Sequence, residues 1–272
     1  MTGVGSANLD GIYLKLDRAK EHWGALNREI RSFLGDHAIG PAATYDPLQR
    51  LYIFRIGTVE PLPVRWGIVV GDIVHNTRSA LDHLVTQLVI ANGHRPGRHH
   101  AFPVCLTLSD WRRQVEQAKP GKAALDGVAP GAVSLIQSIQ PYQTGVEEDA
   151  GRSTIAGLQR LWNTDKHQLV HCVRSFIADH EPQIALDPGP PIAEVVWAKY
   201  CPGAEIVDGA EIARAQLRLH PLAITPSVAV SLKMRIMVGF QGKPDEPLAS
   251  MKFLDHTIDQ ARAFVDRCAR LG

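Results

Sequence analysis

PVRWGIVVGDIVHNTRSALDHLVTQLVIAN, residues 63–92, decides how the chain folds. No proline follows Pro63 in this stretch, and Pro is tolerated in a first helical turn, so it reads as one long helix. At 3.6 residues per turn its side chains separate into two faces. Val70, Ile73, Val74, Thr77, Ala80, Leu81, Leu84, Val85 and Leu88 form a broad apolar arc. Asp72, His75, Asn76, Ser79, Asp82, His83 and Thr86 take the other side, with Arg78 at the boundary. The polar side holds no Glu or Lys, the usual fillers of exposed helix positions. It reads either as a solvated polar seam or as a site facing a second helix or a second subunit.

A second informative helix is expected over 152–170. Ile155, Leu158, Leu161, Trp162, Asp165 and Leu169 recur at helical intervals, and Asp165 continues the apolar seam in polar form. A buried carboxylate needs a partner or it tends to neutralise. The planar fork of Arg78 suits that task. Asn163, Lys166 and His167 lie beside it.

Outward from these two helices, Asn8 or Asp10 caps a helix running to about residue 34, followed by a break over 35–47. LYIFRIGTV, 51–59, is dense in aromatic and β-branched residues and reads as a strand. NGHRPGRHHAFPV, 92–104, is a loop by its Gly and Pro content. His94, Arg95, Arg98, His99 and His100 make metal or phosphate contacts conceivable there, but a plain solvated loop is the reading adopted. Short helices are expected over 108–118, capped by Ser109, and over 132–139. A mobile connection is expected at 145–151. From His171 the pattern changes. HCVRSFIA, IAEVVWAKY, EIARAQLRLH and VAVSLKMRIMVGF read as strands separated by Pro- and Gly-containing turns, and the last alternates as one strand with a wet face. A terminal helix covers about 248–269.

The expected architecture is therefore α+β. A helical core fills 1–170 with a short strand near 51–59. An antiparallel β region follows at 171–240, and a helix at 248–270 packs back on the core. The 272 residues suffice to bury a core, and a formal charge of +1 gives no general case for nucleic acid. Cys105, Cys172, Cys201 and Cys268 are far apart and read as reduced thiols. No apolar run is long enough to cross a membrane and the start lacks a signal-peptide pattern, so the expectation is a soluble, cytoplasmic protein. No Gly-rich phosphate loop follows a strand, and no nucleophile elbow is present.

Arg78-Ser79-Ala80-Leu81-Asp82-His83 has the Arg-x-x-x-x-His spacing and resembles the motif of HEPN proteins, helical-bundle domains of which many are RNases. The wider set GDIVHNTRSALDH, Phe102-Pro103, Gln140-Pro141-Tyr142 and Asp165-Lys166-His167 is similar to an uncharacterised bacterial family. The resemblance implies a HEPN-like bundle core. It also implies a metal-independent RNase in which Arg78 stabilises phosphate charge and His83 moves the proton. His75, Asp82, Lys166 and His167 would assist, and Asp72, Asn76, Ser79, Asn163 and Asp165 would support the site. Positions five apart on a helix point about 140° apart, so one substrate reaches both Arg78 and His83 only at the helix edge or with a second subunit.

Three functions compete. The preferred one is a homo-oligomeric interaction or ligand-binding module, a homodimer using the polar face of the long helix. The second is the HEPN-like RNase acting on RNA. The third is a metal-dependent enzyme using His75, Asp82, Asp165 and His167. His75 and Asp82 are two turns apart, roughly 10 Å, too far for one ion to take both easily. No cofactor or bound metal is expected in the preferred reading.

Overall fold

The computed structural model describes residues 7–37, 40–119, 121–144, 153–176, 183–187, 193–200, 206–219, 229–233, 236–243 and 246–271. The fold is α+β, and the chain forms two compact units. The helical unit combines 1–28, 64–171 and 240–272; the other combines 29–63 and 172–239.

In the helical unit, α2 (Arg65–Ala91) is central and packs on α5 (Thr154–Asp165) and α6 (Met251–Ala269). Its predicted apolar arc is buried except for Leu88, which is half-buried, and Trp66 and Val89 join it. Helix α1 (Asp10–Asp36) begins behind Asn8, whose side-chain oxygen accepts from the Asp10 N–H at 3.1 Å. Its first part runs antiparallel to α6. Tyr13 Oη donates to Asp266 at 2.6 Å, Lys20 Nζ reaches Asp255 at 2.5 Å and Asp259 at 2.8 Å, and Trp23 Nε1 donates to the Met251 carbonyl at 2.8 Å.

Two glycines let α2 be approached closely. A Cβ on Gly67 would lie 2.3 Å from the Val170 carbonyl oxygen, and one on Gly71 would lie 2.0 Å from Asp165 Oδ1. Four residues apart, they clear one stripe of the helix for the end of α5 and the segment after it. On α5, Gly157 does the same for the Phe253 ring.

In the other unit, β1 (Pro41–Asp46), β2 (Leu51–Ile56), β6 (Glu211–Leu219) and β5 (Ala193–Tyr200) form an antiparallel sheet in the order β1-β2-β6-β5. Phe54, Ile56, Ile206, Ile212, Ala213 and Ala215 are its core. β4 (Gln183–Asp187) pairs with β7 (Ala229–Lys233), and β3 (His171–Phe176) neighbours β8 (Ile236–Gln241). A two-residue strand, β9 (Ala249–Ser250), precedes α6, and the Ser250 hydroxyl accepts from the Phe253 N–H.

Several expectations are corrected. The break at 35–47 contains β1. Of the stretch 228–240 expected as strand, 229–233 form β7 and 236–240 lie in β8, and 228 and 234–235 lie outside the described residues. β4 had no counterpart in the sequence reading. The helix at 108–118 is α3 (Leu108–Trp111) continued by a π turn, Arg112–Glu116, and its cap is Thr107 rather than Ser109. α4 (Pro130–Ser138) begins two residues earlier than expected because Pro occupies its first turn. α5 stops at Asp165, five residues short of the expected end, and its cap is Ser153, whose hydroxyl accepts from the Ala156 N–H. The expected connection at 145–151 lies outside the described residues.

Gly67→Ala is expected to destabilise the protein by about 1–3 kcal/mol, because the added methyl meets fixed backbone. Gly131→Ala in α4, where a Cβ meets open space, is expected to be neutral or stabilising by up to about 1 kcal/mol. Urea denaturation of both variants checks the contrast.

Candidate functional site

Arg78 is 4% exposed, and every part of its guanidinium is engaged. Nε donates to Gln159 Oε1 at 3.1 Å, Nη1 to Asp82 Oδ1 at 2.7 Å, and Nη2 to the Phe102 carbonyl at 2.7 Å. The same Asp82 oxygen accepts from the Phe102 N–H at 2.8 Å. Arg78 and Asp82, one turn apart on α2, thus grip both polar groups of a single peptide-bearing residue. Burial lowers the proton affinity of the guanidinium, and the Asp82 carboxylate opposes that effect. On its other side Arg78 lies 5.0 Å from the centre of the Trp162 ring, which also carries the Lys166 ammonium.

Gln140 repeats the device on the same segment. It is 1% exposed; its Oε1 accepts from the Cys105 N–H at 2.9 Å, and its Nε2 donates to the Pro103 carbonyl at 3.0 Å and the Ile136 carbonyl at 3.1 Å. Phe102, Pro103 and Cys105 are buried without helix or strand partners, with Val104 half-buried between them, so these side chains supply hydrogen bonds that the backbone requires. Phe102 meets Phe264 of α6 edge-on, centroids 5.7 Å apart.

The other predicted site residues fall in different places. The carboxylate partner of Arg78 is Asp82, not Asp165. Asp165 sits over Gly71, and burial first, then Asp72, raises its pKa while His75 lowers it. Asp72 and His75 are exposed. Asn76 Nδ2 donates to the Asp72 carbonyl within α2, and Asn163 Oδ1 accepts from Gln159. Ser79 is half-buried; Lys166 and His167 are exposed just beyond α5. His83 packs against Gly11 of α1, whose Cβ would lie 3.0 Å from the ring. Gln87 Oε1 accepts from the Asn8 N–H, which turns its amide nitrogen toward His83 Nε2 at 3.4 Å. His83 Nδ1 is buried with no partner among the described residues. Arg78 and His83 therefore face separate surroundings, as their angular spacing implies.

A separate concavity lies elsewhere in the helical unit. It is a cleft of about 440 Å³ bounded by α2, α4, α5 and α6. Leu81, Leu158 and Phe264 contribute apolar wall; Thr257, Gln260 and Arg267 contribute polar groups.

No family model, curated protein or solved structure matches the chain. Among the described residues no three His, Cys, Asp or Glu side chains are grouped to hold a metal ion, so the geometry gives the metal alternative no support. In the 92–104 loop, His100 Nδ1 accepts from the Gly97 N–H at 2.7 Å, so its Nε2 carries the proton and donates to the Asp126 carbonyl at 2.8 Å. That histidine is a loop staple. Cys105, Cys172 and Cys268 are free thiols, pushed up by burial to about 11, about 12 and about 11, so they are poor nucleophiles at neutral pH; Cys201 lies outside the described residues. No helix among the described residues is long and apolar enough to cross a membrane.

The cleft escaped the sequence reading because its wall comes from four separated helices. The clamp left a partial signal: Phe102-Pro103 and Gln140-Pro141-Tyr142 stood out beside the Arg78 motif, but nothing in their spacing showed that side chains would bond that backbone.

Arg78→Ala is expected to cost about 3 kcal/mol in urea denaturation, since it strips partners from buried groups. Arg78→Lys is expected to recover only part, because one ammonium cannot serve Gln159, Asp82 and Phe102 together. Asp165→Asn is expected to raise the melting temperature at pH 7. A carboxyl whose folded pKa is raised opposes folding above that pKa and ceases to do so below its unfolded value. The advantage of the variant should therefore shrink as pH falls toward the ordinary Asp range of about 4. Thermal melts across pH 3–7 check this sign.

Proposed function

We propose that the helical unit is a ligand-binding module that takes one small amphipathic molecule in the cleft between α2, α4, α5 and α6. The observation that carries this reading is the cleft itself. Its volume of about 440 Å³ falls in the range of small-molecule sites, and it joins apolar walls to a few polar side chains.

The polar face of α2 offers less to a partner than its sequence suggested. Asp82 is committed to the clamp and His83 is packed against α1, which leaves Asp72 and His75 as its exposed members. A homodimer using that face would therefore rest on the N-terminal half of α2. For the HEPN-like RNase alternative, a buried Arg78 with engaged nitrogens would have to give up the clamp to reach a phosphate. Incubation with single-stranded RNA in EDTA tests it directly. Cleavage lost in His83→Ala and blocked by a 2′-deoxy substitution would replace the ligand-binding reading.

Titration with the neutral fluorophore N-phenyl-1-naphthylamine tests the cleft. Saturable binding is expected, and Ala263→Trp, an exposed wall position, is expected to weaken it at least roughly tenfold with the melt nearly unchanged. Equal binding by both proteins would place the probe elsewhere and overturn the reading.

A further inference from the structure

Among the described residues the cleft has one ionisable side chain in its wall. That residue is Arg267, in the last turn of α6. It is exposed, and no carboxylate pairs with it among the described residues. Arg262 is paired with Asp17, and Lys20 of α1 takes up Asp255 and Asp259. The charge beside the apolar wall thus has no ion pair among the described residues, and it is the one such charge that lines the cleft there. Among the described residues no Asp or Glu lines the cleft.

We propose that the occupant is an amphipathic monoanion, a carboxylate on an apolar chain or ring, with Arg267 as the residue that selects its headgroup. This rests on the ligand-binding reading above. Guanidinium presents two parallel N–H groups to a carboxylate, a fork-to-fork match that an alcohol does not offer and an ammonium opposes. Phe264, one helical turn before Arg267 on α6, and Leu158 of α5 form apolar wall for the hydrocarbon. Gln260 lies two turns before Arg267 along the same helix and gives the opposite part of the wall a neutral amide. One cation and no anion among the described residues of the wall favour a ligand with one negative group over a zwitterion or a cation.

Isothermal titration of the full chain with decanoate, decanol and decyltrimethylammonium, each below its aggregation concentration, tests the assignment. Decanoate is expected to bind at least about tenfold more tightly than decanol, and the ammonium more weakly than either. Arg267→Gln is expected to bring decanoate down to the decanol value while leaving decanol and the melt unchanged. Equal binding of decanoate and decanol by the unaltered protein would overturn the headgroup assignment and leave the cleft reading standing. The same follows if Arg267→Gln weakens all three probes alike. Binding of none of the probes, with N-phenyl-1-naphthylamine also excluded, would overturn both.

Discussion

The helical unit depends on a buried stretch of backbone that belongs to no helix or strand. Residues 102–105 pass through the interior, where a peptide group without a hydrogen bond costs as much as a lost bond. Asp82 and Arg78 serve the N–H and C=O of Phe102, and Gln140 serves Pro103 and Cys105. With the backbone satisfied, the Phe102 ring enters the core against Phe264. A charge that would be costly to bury alone is acceptable here because Asp82 neutralises it and Gln159 and Phe102 complete its donors.

This clamp also accounts for the unusual polar face of α2. Its polar residues serve unequal tasks. Asp82 holds backbone, Asn76 bonds back into its own helix, His83 lies against Gly11, and the fully exposed members are Asp72 and His75. The opposite economy appears at Gly67 and Gly71, where the absence of a side chain admits a carbonyl and a carboxyl to the helix surface. Asp165 is then held in a half-buried place that its charge disfavours.

The long helices were legible because amphipathic periodicity over 27 residues, as in α2, leaves few alternatives. The apolar arc from Val70 to Val85 is buried as read. Short elements were harder. β1 begins Pro-Ala-Ala and carries little strand preference, and it exists because β2 pairs with it. Arg78 and Asp165 could each be identified as needing a partner, yet both partners were set by the path of distant segments. Asp82, one turn from Arg78, reads in the sequence as a member of the open polar face, and its place in the clamp depends on where Phe102 comes to lie.

The helical unit is assembled from three stretches of chain separated by the other unit's sequence. Its last component, α6, supplies Phe264 to the clamp region, the acidic partners of Tyr13 and Lys20, and one wall of the cleft. During synthesis, therefore, α1 and α2 leave the ribosome long before the helix that covers them. Their apolar faces must wait through the translation of the intervening strands, a delay in which exposed surface invites association with other chains. The separation of 253 positions between Tyr13 and Asp266 raises the contact order of this assembly, which slows its closure.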